Sequence, residues 1–157
     1  MNSSGDPFLP STFVSRSETD TIDLGKTFAR QLRSNDIVAL FGNLGSGKTR
    51  FVQGICNALN VEHNISSPTF TLINEYKSDK GKIFHFDFYR IHSVDEILQL
   101  GFYEYLESDG ICIIEWAERT KEFLPAVRYD VYFEFGENEN ERMICIEKFL
   151  NDEYPRN

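Results

Sequence analysis

One stretch of this chain has the spacing of a phosphate-binding loop: Gly42-Asn43-Leu44-Gly45-Ser46-Gly47-Lys48-Thr49 satisfies G-x-x-x-x-G-K-[ST]. In such a loop, backbone N–H groups at a helix N-terminus cradle phosphate oxygens. Gly42, Gly45 and Gly47 carry no Cβ to block the turns or the close approach of a phosphate. Lys48 sets a cation against the β and γ oxygens of a nucleotide, and the Thr49 hydroxyl is placed to ligate Mg²⁺. A glycine-rich turn with an idle lysine would carry the same letters, so the surroundings decide. Ile37 to Phe41 reads as a buried strand directly before the loop, and Val52, Ile55, Cys56 and Leu59 mark one face of a helix that begins inside it.

Phosphate chemistry with a metal also needs a carboxylate, usually at the end of a neighbouring buried strand. Glu115 ends the apolar run Ile111 to Ile114, at the strand edge where α/β proteins bind ligands. Asp87 lies on the polar face of an extended segment, within His85-Phe86-Asp87-Phe88-Tyr89-Arg90. Each alone could be an ordinary strand-end acid; beside a phosphate loop, a role in the site is the better reading. The residues leave open which of the two orients an attacking water. Ser66-Ser67-Pro68-Thr69 has two readings of equal weight. It is a plain loop entering a strand, since Pro restricts its predecessor to extended geometry, or a switch whose hydroxyl senses the γ-phosphate. His85 and His92 have no partner at metal-ligand spacing and read as hydrogen-bonded structural or surface residues. No arginine finger is obvious, and the Asn-Lys-x-Asp element of guanine-specific GTPases is absent, which leaves ATP as the default nucleotide.

The elements that must hold these residues can be read from periodicity. Thr12 to Ser15 suits a short strand; Ser17 followed by Asp20 looks like a helix N-cap, with Leu24, Phe28 and Leu32 recurring behind it. Thr69 to Tyr76 and Lys82 to Tyr89 read as the arms of a hairpin turning at Ser78 to Gly81, with Phe84, Phe86 and Phe88 on one face and His85, Asp87 and Tyr89 on the other. Ser93 and Glu96 form a capping box that opens a short acidic helix ending before Gly101. Val131, Phe133 and Phe135, then Ile144 and Ile146, alternate on two strands joined by the acidic turn Gly136 to Glu141. This order predicts an α/β protein, a three-layer P-loop NTPase-like sheet with a parallel centre and antiparallel additions.

The 157 residues suit one domain over residues 11–157 behind a disordered tail at residues 1–10. An apolar fraction of 41%, with 14 Phe, supplies a core, and no apolar run reaches the roughly 18 residues of a membrane span. The N-terminus lacks the pattern of a secretory signal, so the cytoplasm is the expected compartment. Cys56, Cys112 and Cys145 sit apart in apolar settings, as reduced core thiols do. With 25 acidic against 16 basic residues the net charge is -9, which argues against a direct grip on nucleic-acid phosphate.

Four segments in this order, Gly42 to Thr49, Ser67 to Leu72, His85 to Arg90 and Ile113-Ile114-Glu115-Trp116, closely resemble the bacterial TsaE family, small ATPases required for threonylcarbamoyl-adenosine synthesis in tRNA. The resemblance implies that Gly42 to Thr49, with Arg50 behind them, bind ATP. It implies that Thr49 and Glu115 hold Mg²⁺, that Asp87 supports hydrolysis, and that Thr69 belongs to a switch-like segment. Trp116 would lie beside the nucleotide, and Glu18 and Thr21 near its base. Ala117 departs from the Pro that several members carry there, without bearing on the chemistry. The resemblance further implies that the partner is a TsaB–TsaD assembly, which transfers the threonylcarbamoyl group and meets the tRNA, while this protein hydrolyses ATP to reset it. Hydrolysis would be slow alone. Two other classes fit a phosphate loop of this size: a small-molecule kinase, which the acidic and arginine-free stretch Ile91 to Asp109 disfavours, and a nucleotide-dependent regulatory binding module.

Overall fold

The computed structural model describes residues 10–149; the tail expected at the N-terminus lies, apart from Pro10, outside the described residues. Two apolar five-residue runs set the centre of the sheet. β2 (Ile37–Phe41) and β5 (Ile111–Glu115) are buried on both faces and pair in parallel. Their alternate side chains feed two separate cores. Val38 and Leu40 point into one with Ile111 and Ile113, while Ile37, Ala39 and Phe41 enter the other with Cys112 and Ile114. Around this pair the remaining strands are β1 (Ser11–Ser15), β3 (Ile73–Ser78), β4 (Gly81–Asp87), β6 (Arg128–Phe135) and β7 (Arg142–Phe149), in the spatial order β1-β7-β6-β2-β5-β4-β3. The pairs β6-β2, β2-β5 and β5-β4 are parallel, and β1, β7 and β3 add on antiparallel, as the order of elements predicts.

Helices cover both faces. α1 (Glu18–Ala29) starts at Ser17, whose hydroxyl accepts from the Asp20 N–H at 3.0 Å. α1 and α2 (Lys48–Ala58) supply Phe28, Phe51, Val52 and Ile55 to the first core. They cross at two glycines: a Cβ on Gly25 would run into the Phe51 carbonyl oxygen, and one on Gly54 into that of Ile22. The second core is closed by α3 (Val94–Gln99) and α4 (Phe102–Glu107) through Ile97 and Phe102. Glu96 accepts from the Ser93 N–H at 3.1 Å, as the capping pattern requires. Gly101, at φ +82°, ends the first of these helices and starts the second, which periodicity did not reveal.

Residues 69–72 form a turn where the sequence favours strand, so β3 begins only at Ile73. The Leu72 N–H bonds back to the Pro68 carbonyl at 2.7 Å, and Leu72 takes φ +73°. β-propensity reflects a half-buried pleated setting, and this segment instead has the side chain of Asp87 to bind. No disulfide joins the three cysteines; burial pushes the thiols of Cys56 and Cys112 up to about 12. No helix among the described residues is long and apolar enough to cross a membrane.

Candidate phosphate-binding and metal site

The parallel pairing sets Leu40 opposite Glu115 and Glu115 opposite Asp87, so three strands end together just where the chain leaves β2. Phe41 passes directly into the loop. Gly42, Gly45 and Gly47 take φ of +156°, +77° and +106°, which side chains rarely adopt. At Gly42 space is also closed, since a Cβ would stand 2.7 Å from Ser46 Oγ and 2.9 Å from the Phe133 carbonyl oxygen. Ser46 Oγ is buried and has no hydrogen-bond partner within the described residues, an orphaned polar atom inside the loop. Lys48 follows, only 4% exposed. Its ammonium donates to the carbonyls of Gly42 at 2.5 Å and Asn43 at 3.0 Å and stands 4.2 Å from the centre of the Trp116 ring. Burial draws its pKa below the usual lysine value, against the opposing pull of Glu115, Glu118 and Asp87. Glu118 closes the rear of the loop by accepting the Gly42 N–H at 2.9 Å.

Thr49 Oγ1 donates to both oxygens of Glu115, at 3.0 and 3.2 Å. Across from it, His85 Nε2 lies 2.7 Å from Glu115 Oε2, fully buried. Asp87, 3% exposed, has a different set of partners. Its Oδ2 accepts from the hydroxyls of Ser67 and of Thr69, the latter at 3.0 Å, and its Oδ1 from the Tyr89 N–H at 2.9 Å. The loop after α2 is thereby tied to the end of β4. A hydroxyl and a carboxylate side by side at the head of a phosphate loop are hard oxygen donors, the set that suits Mg²⁺, and a glycine-rich loop entering the N-terminus of α2 suits a phosphate.

These groups line a cavity of about 500 Å³. Of the candidates from sequence, Glu18, Thr21, Leu44, Gly45, Ser46, Gly47, Lys48, Thr49, Arg50, Thr69, Asp87, Glu115 and Trp116 all border it. Gly42 and Asn43 do not border it and bear on it through the carbonyls that hold Lys48. Glu18 pairs with Arg50 at 3.5 Å, and the Thr21 hydroxyl is buried against that of Ser15 at 2.7 Å. Trp116, at φ +60°, turns the chain at the end of β5 and packs on Tyr89 with ring centres 4.9 Å apart. His92 is exposed and outside the site.

Several contributors were missed by sequence reasoning, among them Glu118, Gln53, Asn140, His85 and Arg142. His85 carried a signal: two residues before Asp87 on one strand, it shares that residue's face. Arg142 carried none. It lies 97 positions from Gly45, yet its Nη2 donates to the Gly45 carbonyl at 3.1 Å and it joins the cavity wall with Asn140, bringing a second arginine beside the expected Arg50.

A model of the family described as threonylcarbamoyl adenosine biosynthesis protein TsaE matches residues 15–144. Relatives carrying the name tRNA threonylcarbamoyladenosine biosynthesis protein TsaE include one from Rickettsia typhi, 42% identical over 87% of this chain and 95% of its own length. Another, from Bacillus subtilis, is 36% identical over 78% of this chain and 77% of its own length. Among solved structures, YdiB of Bacillus subtilis superposes with a TM-score of 0.73 at 27% identity, covering 92% of this chain and 88% of that one. The strand order, the loop between β2 and α2 and these likenesses agree: the chain has a P-loop NTPase-like fold and belongs to the TsaE family.

Proposed function

We propose that this protein is a Mg²⁺-dependent ATPase that serves threonylcarbamoyl-adenosine modification of tRNA by acting on a TsaB–TsaD assembly, slow alone and stimulated by that partner. Family membership carries the role in tRNA threonylcarbamoyladenosine biosynthesis. The observation that carries Mg²⁺-dependent ATP hydrolysis is the contact between Thr49 and Glu115 at 3.0 Å, one residue from the phosphate-cradling lysine. In this reading the loop amides and Lys48 bind the phosphates of ATP, and Thr49 with Glu115 hold the metal. Mg²⁺, when bound, offsets charge on the phosphoryl group being transferred. Glu115 shares the Thr49 hydroxyl and so goes with the metal, and Asp87, which borders the same cavity without contacting Thr49, orients the attacking water. Thr69 and Ser67, bonded to Asp87, pass changes at the phosphate end to the exposed loop that carries Phe70. Glu18 and Thr21 border the base, and Trp116 lies beside the nucleotide.

The reading places residues 11–157 in one domain that works in the cytoplasm and leaves tRNA contact to the partner, in keeping with a net charge of -9. The test is steady-state ATP hydrolysis with Mg²⁺, by the purified protein alone and with the matching TsaB–TsaD complex. A low basal rate that rises strongly with partner and collapses in Asp87→Ala supports it. A rate indifferent to an assembly proven active with its own TsaE overturns it, and phosphorylation of small acceptors then becomes the activity to screen.

A further inference from the structure

We propose that His85 is a positioning residue for the metal site, holding its proton on Nε2 and using it to fix the Glu115 carboxylate against Thr49. The proposal deepens the reading above and rests on Glu115 and Thr49 as the metal-holding pair.

The proton assignment follows from a directed chain of hydrogen bonds. Asn74 Nδ2 can only donate, and it lies 3.2 Å from the Tyr76 hydroxyl. At the other end, the Glu115 carboxylate can only accept, so His85 Nε2, 2.7 Å from Oε2, is the nitrogen that carries the ring proton. Nδ1 is then left to accept from the Tyr76 hydroxyl, 3.4 Å away. An ionised carboxylate can only accept, so every donor in the series has a matching acceptor. The chain runs across the sheet, from β3 at the edge through β4 to the end of β5 and on to Thr49 at the start of α2. The pairing makes this line possible, because His85 stands opposite Asn74 on one side and Ile113 on the other. His85 and Tyr76 are both buried, at 0% and 6% exposure, so water does not substitute for either partner.

A glutamate has three side-chain torsions, and those of Glu115 must be fixed for its oxygens to face a metal rather than the protein. His85 holds Oε2 from the sheet side, and Thr49 approaches Oε1 most closely at 3.0 Å. Such partners behind a ligand commonly change metal affinity or activity by about 10- to 100-fold when removed.

The test compares His85→Leu, which fills space without a donor, with His85→Gln, whose amide can still donate to Glu115. Trp116 fluorescence reports ADP binding with Mg²⁺ and with EDTA, and the ¹⁵N shifts of the wild-type imidazole report which nitrogen carries the proton. The expected result is a proton on Nε2, a Mg²⁺ requirement raised about 10- to 100-fold in His85→Leu, and unchanged ADP binding in EDTA. His85→Gln recovers most of the metal dependence. Equal defects in both variants, loss of ADP binding in EDTA to the same degree, or a proton on Nδ1 would overturn the positioning role. A wild-type protein whose ADP binding ignores Mg²⁺ overturns instead the assignment of Glu115 and Thr49, and this proposal with it.

Discussion

Asp87 and Glu115 are register partners at the C-terminal ends of adjacent parallel strands, yet their side chains bind opposite parts of the protein. Glu115 turns to Thr49 and His85, inside the frame of loop and sheet. Asp87 turns to Ser67, Thr69 and the Tyr89 amide, all in connecting segments. One carboxylate is tied to the phosphate-loop helix and the sheet and the other to connecting segments, so the proposed roles of the two can be separated by substitution.

Asp87→Asn should lower kcat by about 10²-fold or more while sparing Mg²⁺-dependent ADP binding, and Glu115→Gln should weaken that binding itself. Asp87→Asn should also speed proteolysis around residues 64–70, because a neutral amide replaces the acceptor that Ser67 and Thr69 share. Steady-state kinetics, Trp116 fluorescence and limited proteolysis read the three effects. Indistinguishable kinetic profiles for the two variants would sink the division of roles.

The loop and its two flanking elements were legible because their information is local. An apolar run, fixed glycine spacing and a 3.6-residue period all lie within residues 37–59. The ends of β4 and β5 were legible for the same reason, since alternation puts Asp87 on the face away from Phe86 and Phe88. What escaped depends on pairing across the sheet. Nothing near Arg142 announces Gly45, and nothing near His85 announces Glu115, because β4 and β5 meet through a register that the chain order does not encode. The turn at residues 69–72 escaped because β-branched and aromatic residues report burial on a pleated surface, whereas Phe70 is 80% exposed.

Lys48, the proposed phosphate ligand, also ties stability to pH. Its folded pKa is lowered from 10.5, chiefly by burial, so between the two values the unfolded chain binds more protons. Stability contributed by this group therefore rises with pH through that window and levels off above the unfolded value. Lys48→Met removes this dependence. The Tm of the variant relative to wild type should fall as pH is raised toward 10.5, while ADP binding weakens by about tenfold or more at every pH. Thermal unfolding across pH and ADP titration of Trp116 fluorescence are the measurements; a Tm difference that is flat with pH would remove the burial argument.

The crossing of α1 and α2 should tolerate no added methyl. Gly25 faces the Phe51 carbonyl and Gly54 that of Ile22, so in either direction a Cβ meets rigid backbone rather than a flexible side chain. Gly25→Ala and Gly54→Ala should each destabilise by about 1–3 kcal/mol or more, despite alanine's better helix propensity. Because α1 carries Glu18 and Thr21 and α2 carries Lys48 and Thr49, the forced separation should weaken nucleotide binding as well. Urea unfolding with an unchanged m-value, paired with ADP titration, tests both halves, and a Gly25→Ala protein as stable as wild type would show that the helices can separate freely.

The turn between β3 and β4 is fastened to the end of α1 by one side chain. Lys80 reaches from this turn to the end of α1, where its ammonium donates to the carbonyls of Ala29 at 3.2 Å, Arg30 at 3.3 Å and Leu32 at 2.5 Å. Those carbonyls gather the negative end of the helix dipole, and a cation there stabilises by about 0.3–2 kcal/mol. Lys80→Met keeps the aliphatic stem and removes the charge and its three bonds. The expected loss lies in that same range and appears as a Tm lower by a few degrees for a chain of this size. Lys80 does not border the cavity, so kcat at 25 °C should stay at the wild-type value. Full stability in Lys80→Met would show that these bonds merely replace equivalent ones to water. A large fall in kcat would show that α1 transmits the disturbance along its length to Glu18 and Thr21.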